Sequence, residues 1–200
     1  MGDCHCRRRL ENGLVCSCAD AAKSRGGPLR IAARTYHAGE ALGAPARRAV
    51  VNSAQWTLNS GAAGGAFCKV LGSIERVHPR APDINFEVNL PTAWNEKAIQ
   101  YGGGGYDGSL VDALDNVPLG ADNAPTPLQS GYVTFGSDSG HQSLSPPDGA
   151  FLLNDEALAN FGGQQIKKTH NAALPVARAY YGKGLRKTYI QGIRKAVTSP

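Results

Sequence analysis

A run of four glycines is the segment of this sequence best suited to contact a reacting group through its backbone. Gly102, Gly103, Gly104 and Gly105 precede Tyr106-Asp107-Gly108. Glycine lets a chain turn sharply and exposes N–H groups to a ligand. Three interpretations stay open on these residues alone: an oxyanion hole that stabilises a tetrahedral intermediate, a phosphate-binding loop, and a flexible loop without a ligand. A phosphate-binding loop would be followed directly by a helix and would lie near a cationic side chain. In this sequence the residue after the loop's tyrosine is instead an aspartate, Asp107.

The segment Ser137-Asp138-Ser139-Gly140-His141 contains all three residue types of a serine triad. Neighbours on a strand point to opposite faces, so these side chains cannot converge as nucleophile, base and orienter. A nucleophile elbow, G-x-S-x-G, would need serine at the central position, where Asp138 stands. We therefore expect a strand-end loop with structural polar contacts.

Five cysteines raise the question of a metal site: Cys4, Cys6, Cys16, Cys18 and Cys68. The first four form two C-x-C pairs, which is not a usual zinc spacing, and only His5 lies close to them. We therefore expect no metal site and no cofactor.

Composition and charge favour a globular domain over a nucleic-acid or membrane protein. The 200 residues are 42% hydrophobic and 18% charged, with a net charge of +5. Lysine and arginine are scattered apart from Arg7-Arg8-Arg9, and no nucleic-acid-binding pattern accompanies them, so we expect no nucleic-acid partner. No apolar run approaches the roughly 18 residues of a membrane span, and residues 1–27 lack the apolar stretch of a signal peptide. Composition and charge do not decide the cellular compartment of the protein.

Four segments have the pattern of strands. Apolar and polar side chains alternate from Ile84 to Leu90, which predicts a strand with one buried face. Segments 97–101 and 132–135 are predicted strands that run into the two polar loops. Segment 188–190 is predicted to be a short buried strand.

A long helix is predicted before the last of these strands. Asn154 or Asp155 caps its start, Gly162-Gly163 interrupts it, and Gly182 ends it. Pro175 should kink it. The helical stripe on its packed face consists of Ile166, His170, Ala173, Ala177 and Tyr180 or Tyr181, and the solvated face contains Lys167 and Lys168.

The remaining segments carry weaker signals. Residues 110–114 could form a short helix, residues 28–55 have weak helical character, and residues 1–27 show no periodicity and are assigned no structure.

The order of elements predicts an α/β fold. A strand before and after a long helix implies a right-handed crossover and a parallel pair of strands. We divide the chain into a poorly defined N-terminal segment (1–55), the α/β domain (56–192) and a short tail (193–200).

Several stretches, in this order, resemble the tannase and feruloyl esterase family. The resemblance covers roughly residues 56–192 and rests on the order and spacing of the stretches together. They are Phe67-Cys68-Lys69-Val70, Ile84 to Pro91 with Trp94-Asn95, Gly102 to Gly108, Gly131-Tyr132 with Asp138-Ser139-Gly140-His141, Lys167-Lys168-Thr169-His170, and Tyr180-Tyr181-Gly182 with Tyr189-Ile190-Gln191-Gly192.

The resemblance implies an α/β-hydrolase fold with crossover helices, here truncated at the strand before the nucleophile elbow. The family hydrolyses carboxylic esters of aromatic acids, such as gallate and ferulate, with a Ser-Asp-His triad. A lid later in the chain often carries calcium, which would lie outside this sequence. Family members are usually exported, which suggests a secreted or periplasmic protein.

Carried over residue by residue, the resemblance assigns few sites. Gly104 or Gly105 would donate an N–H to the oxyanion. Cys68 matches a family cysteine that often forms a disulfide with one near the N-terminus, and Cys18 is the best partner; a free thiol is the alternative.

The sequence departs from the family after Gly192. Arg194 stands where the nucleophile belongs, and no aspartate or histidine of the triad can be named. We therefore expect the chain alone to be inactive, because loss of a triad nucleophile costs on the order of 10⁶ in kcat. The alternative is a non-catalytic α/β module that binds a ligand or a partner protein.

Overall fold

A computed structural model describes residues 44–57, 65–117, 121, 123–143 and 149–192, together with the backbone of two N-terminal strands, β1 (Cys4–Arg9) and β2 (Gly13–Cys18). The tail 193–200, which contains Arg194, lies outside the described residues. No helix in the described part is long and apolar enough to cross a membrane.

Six strands form a mixed sheet that confirms the predicted α/β class. They are β3 (Ala49–Thr57), β4 (Phe67–Ile74), β5 (Ile84–Pro91), β6 (Lys97–Tyr101), β7 (Val133–Ser137) and β8 (Lys187–Gln191). Their spatial order is β3-β4-β5-β7-β6-β8. The pairs from β3 to β7 are antiparallel, and β6 is parallel to both of its neighbours. The predicted parallel relation of β7 and β8 is therefore confirmed, with β6 lying between them.

The alternating strand β5 is buried on both faces, so the expectation of a single buried face is wrong. Phe86, Val88 and Leu90 lie in the main apolar core. Glu87 and Asn89, on the other face, are also buried. Lys69 pairs with the Glu87 carboxylate at 3.0 Å, yet burial raises the pKa of Glu87. Contacts with neighbouring elements thus cover the face of β5 that the alternating pattern predicts to be exposed to water.

Gly72 on β4 lies against the ring of Phe86. A Cβ at position 72 would overlap Phe86 Cζ and lie 2.6 Å from the carbonyl oxygen of Val50. We expect Gly72→Ala to lower the free energy of unfolding by about 1–3 kcal/mol, because overpacking forces neighbours to shift. Urea denaturation measures this change. The matched control is Gly65→Ala, whose Cβ would meet no atom within 4 Å; equal midpoints for the two variants would contradict the prediction.

The interrupted helix predicted before the last strand is present as two helices. In α1 (Asp155–Ala159), the side chain of Asn154 accepts hydrogen bonds from the N–H groups of Glu156 and Ala157. A π-helical turn, Asn160–Gln164, then interrupts the helix where the two glycines were expected to do so. The longer α2 (Gln165–Tyr181) ends at Gly182, which has a left-handed φ of 72°.

The buried face of α2 differs in part from the predicted stripe. Ala173 and Ala177 are buried, but Ile166 and His170 are only half-buried. Lys168 is 1% exposed, so its assignment to the solvated face is wrong. Its ammonium donates to Asn160 Oδ1 at 2.6 Å, and burial lowers the pKa of this lysine. The acceptor comes from the π-helical turn, which the helical periodicity does not reveal.

The predicted short helix at 110–114 is absent from the described residues. Ala113 has a φ of 55°, outside the range of a right-handed helix. The Asn89 side chain donates to the Asp112 carbonyl at 2.7 Å, and the Val111 N–H donates to Ser137 at 3.4 Å. These contacts with the strands hold the segment in an irregular conformation over the sheet.

Three further expectations need correction. Residues 1–27, which were assigned no structure, contain the antiparallel pair of β1 and β2. The segment 28–55, expected to be weakly helical, ends in β3, which starts at Ala49. The predicted burial of 188–190 is wrong, because Tyr189 is 43% and Ile190 62% exposed. In the described part of the chain β8 pairs with β6 alone, which leaves these side chains open to solvent.

Candidate active site

The four-glycine loop meets the carboxyl end of β8. It follows β6 directly, and the Gly102 N–H donates to the Gln191 carbonyl at 2.7 Å. A Cβ at Gly102 would lie 3.7 Å from the Cα of Gly192. In the sheet β6 lies between β7 and β8. The chain runs from β6 to β7 on one side and then crosses to β8 on the other side, so the loop after β6 lies where the strand order reverses. Open α/β sheets bind ligands at such a point, beyond the carboxyl ends of the strands.

The loop presents several backbone donors. The Asp107 N–H closes a turn onto the Gly104 carbonyl at 3.2 Å, and Gly105 within this turn has a φ of 67°. In the described part of the chain, the N–H groups of Gly103, Gly104 and Gly105 donate to no acceptor. Fixed N–H groups without another acceptor can stabilise an anionic oxygen.

Asp107 anchors the loop to the end of β7. Its Oδ2 accepts a hydrogen bond from the Ser139 hydroxyl at 2.7 Å. Its Oδ1 fills the space beside the Gly103 Cα, where any Cβ would overlap it. Ser137, two residues before Ser139, donates to Gln165 Oε1 at 2.8 Å. The loop is thereby fastened through β7 to the start of α2.

The segment 137–141 forms structural contacts, as expected from the sequence. Asp138 accepts hydrogen bonds from Asn85 (2.7 and 3.0 Å), Gly140 (3.0 Å) and Gln142 (2.7 Å). Burial nevertheless raises the pKa of Asp138, because desolvation outweighs these donors. His141 is 2% exposed and stacks on Phe151 with ring centroids 3.8 Å apart. A triad is therefore not assembled within this segment.

Cys68, on β4, is a buried thiol that forms no disulfide within the described part of the chain. It is 1% exposed, and burial raises its pKa to about 12. The side chain of Cys18 lies outside the described residues, so the Cys18–Cys68 disulfide that the resemblance implies stays the alternative to a free thiol. In the backbone register of β1 and β2, Cys18 lies opposite Cys4.

Alkylation tests the state of this thiol. We expect iodoacetamide to leave Cys68 unlabelled in the native protein, because the thiolate that reacts is disfavoured by burial. In denaturant without reductant, Cys68 should be labelled, as peptide mass spectrometry would show. Labelling that appears only after reduction would contradict the free thiol and establish a disulfide.

No group of three or more His, Cys, Asp or Glu side chains that could hold a metal ion occurs among the described residues.

Residues 68–195 match a model of the family described as tannase and feruloyl esterase. This chain belongs to the tannase and feruloyl esterase family. The chain is 51% identical, over 128 residues, to an uncharacterized esterase of Agrobacterium fabrum, with 64% of this chain and 23% of that protein covered. It is 26% identical over 162 residues to a mono(2-hydroxyethyl) terephthalate hydrolase of Piscinibacter sakaiensis, with 74% and 26% covered.

A crystal structure of feruloyl esterase B from Aspergillus oryzae has the same fold. It superposes with a TM-score of 0.54 at 21% identity, over 72% of this chain and 28% of that protein. The chain thus spans about a quarter of the length of the relatives it matches.

The family resemblance named the glycine loop but missed the residues that support it. The sequence predicts structural polar contacts for the segment that contains Ser139, but it does not show that Ser139 donates to Asp107 of the glycine loop. The sequence does contain a sign of these supporting roles, because a carboxylate (Asp107) and a hydroxyl (Ser139) each follow a predicted strand. Their contact joins residues far apart in the sequence, and periodicity cannot show it.

Proposed function

We propose that this chain carries the oxyanion-loop part of the active site of a carboxylic ester hydrolase acting on aromatic esters. The observation that carries the proposal is the Gly102–Gln191 hydrogen bond at the end of β8. This contact supports the proposal because it holds the start of the four-glycine loop against the end of β8, and the family pattern continues from that strand into the nucleophile elbow. An aromatic substrate is supported by the names of two relatives, a terephthalate ester hydrolase and a feruloyl esterase.

The loop would act when the serine of an esterase attacks the ester carbonyl. The carbonyl oxygen then gains negative charge, and fixed N–H donors stabilise it without reorganising. In α/β-hydrolases one donor follows the nucleophile and another comes from a loop after a neighbouring strand. Gly104 or Gly105 supplies the second donor, and Asp107 holds the loop in place.

We expect the chain by itself to lack the nucleophile. Gly192 is followed by Ile193 and Arg194 where the family has a serine elbow. Without the serine, an esterase of this type loses on the order of 10⁶ in kcat. Ser199 does not replace it, because Thr198 and Pro200 do not form an elbow.

Hydrolysis of p-nitrophenyl butyrate and methyl gallate by the purified chain tests this part of the proposal. We expect no turnover above the buffer rate. Arg194→Ser should be equally inactive, because a serine needs a histidine to take its proton. Turnover by the unaltered chain would reveal a nucleophile elsewhere and overturn the assignment.

A further inference from the structure

His141 is a polar side chain that packs among aromatic rings. It is buried, and the centroid of its imidazole lies 3.8 Å from that of Phe151 and 5.8 Å from that of Phe161. Neither ring nitrogen of His141 has a hydrogen-bond partner among the described residues. Phenylalanine would provide the same stacking without two desolvated nitrogens, so packing alone does not account for a histidine at this position.

The segment 139–143, here called the arch, is tied to the glycine loop at both of its ends. At one end the Ser139 hydroxyl donates to Asp107 Oδ2 at 2.7 Å. At the other end the Ser143 N–H donates to the Gly108 carbonyl at 3.0 Å. His141 is the middle residue of the arch, so its buried ring lies between the two ties.

Two further buried polar atoms of the arch and the loop have no partner in the described part of the chain. They are Asp107 Oδ1 and Ser143 Oγ. A Cβ on Gly108 would lie 3.0 Å from His141 Nε2 and 2.7 Å from Ser143 Cβ, so both side chains border the same face of this glycine. Buried polar atoms without a partner are rare in proteins, and a group of them between two segments requires an explanation.

The hydrogen-bonding groups of these atoms match those of water. An imidazole carries at least one N–H donor, the Ser143 hydroxyl both donates and accepts, and the Asp107 carboxylate only accepts. A water molecule has two donors and two acceptors, and buried waters typically make about three hydrogen bonds to otherwise unsatisfied groups. Water can therefore accept from His141 and donate to Asp107 at the same time.

We propose that internal water binds between the arch and the glycine loop, and that His141 is the positioning residue that holds it. The water connects His141 and Ser143 to Asp107, whose other carboxylate oxygen already fastens the loop to the end of β7. The position of the glycine loop then depends on the ring nitrogens of His141 as well as on the packing of its ring. The site belongs to the folded chain and does not depend on ester hydrolysis.

Water–protein nuclear Overhauser effects on the intact, isotope-labelled chain test the site directly. We expect a cross-peak between water and the ring protons of His141, with the sign of a water molecule that stays bound longer than the protein takes to tumble. Ser143→Ala should keep this cross-peak, because His141 and Asp107 remain as partners. Absence of the cross-peak in the unaltered chain would overturn the proposal, and so would its loss in Ser143→Ala, which would assign it to the serine hydroxyl.

Amide hydrogen exchange in His141→Phe tests the positioning role. This variant keeps a stacked ring and removes both nitrogens. The N–H groups of Asp107 and Ser143 donate to the Gly104 and Gly108 carbonyls, so their exchange reports on the loop and on the arch. We expect both to exchange about two- to tenfold faster, the effect of one lost hydrogen bond on a local opening. The rates are compared with that of Val88 on β5, which reports on global unfolding.

His170→Phe is the matched control. His170 is a half-buried histidine on α2, and its ring centroid lies 6.3 Å from that of Phe135. This variant should leave the exchange of Asp107 and Ser143 unchanged, and His141→Gln, which restores a donor and an acceptor, should recover part of the protection.

Equal or slower exchange of Asp107 and Ser143 in His141→Phe would show that the ring of His141 only packs, and would overturn its positioning role. If His141→Phe fails to fold, the water cross-peaks of the unaltered chain and of Ser143→Ala decide the proposal. These measurements involve no ester, so failure of the proposed esterase function would leave them unchanged.

Discussion

Replacing Gly104 with proline is expected to lower kcat for p-nitrophenyl butyrate by about 10²–10³-fold, the typical effect of losing one oxyanion donor. The measurement uses an active graft, in which residues 68–192 of this chain replace the matching segment of the esterase from Agrobacterium fabrum. That relative supplies the continuation after Gly192. Proline removes the N–H of residue 104, which donates to no acceptor within the described part of the chain.

Gly104→Ala is the matched control, because alanine keeps the N–H. Gly104 is not among the glycines with a left-handed φ, so alanine fits its backbone. We expect the alanine graft to retain most of its activity, with KM little changed in either variant. Equal kcat values for the proline and alanine grafts would show that the Gly104 N–H does not contact the oxyanion, and would leave Gly105 as the donor.

Phe135→Ala is expected to lower the free energy of unfolding by about 3–5 kcal/mol, the typical cost of a large cavity in a core. Phe135 is 0% exposed on β7, which lies between β5 and β6 in the sheet. Its ring belongs to the main core, together with Val88 and Ala98. Few neighbours can move into the space it would leave, because strands flank it on both sides.

Urea denaturation of the intact chain measures this loss as a shift in midpoint at constant slope. Leu153→Ala is the control, because Leu153 is apolar but 92% exposed, and its truncation should change stability by less than about 0.5 kcal/mol. A Phe135→Ala midpoint close to that of Leu153→Ala would contradict the buried position of β7.

Local sequence patterns predicted the elements nearest the site. Strand β6 was expected at 97–101 and is found at Lys97–Tyr101, because its apolar residues are followed at once by glycines. The Asn154 cap was likewise foreseen, since the contact joins residues two and three positions apart. Strand ends and helix caps are determined by residues close together in the chain, so they can be predicted from the sequence.

Contacts between distant segments were not predictable in the same way. Lys168 looked solvent-exposed because its acceptor, Asn160, comes from an interruption of the helix. The aromatic pair of Tyr106 and Phe161 joins a loop and a π-helical turn that only the folded sheet brings together. The exposure of β8 was missed for the same reason. Whether its apolar side chains are buried depends on which other elements pack against the strand, and its own sequence does not show this.

Hydrolysis of p-nitrophenyl butyrate by the graft, compared with its Agrobacterium fabrum parent, tests the central claim most directly. The graft keeps all of the parent outside the exchanged segment and takes its glycine loop and supporting strands from this chain. If residues 102–105 form an oxyanion loop, kcat of the graft should lie within about tenfold of the parent value, which is much less than the loss of one donor. A graft that folds as the parent does, yet hydrolyses the ester no faster than buffer, would contradict the claim.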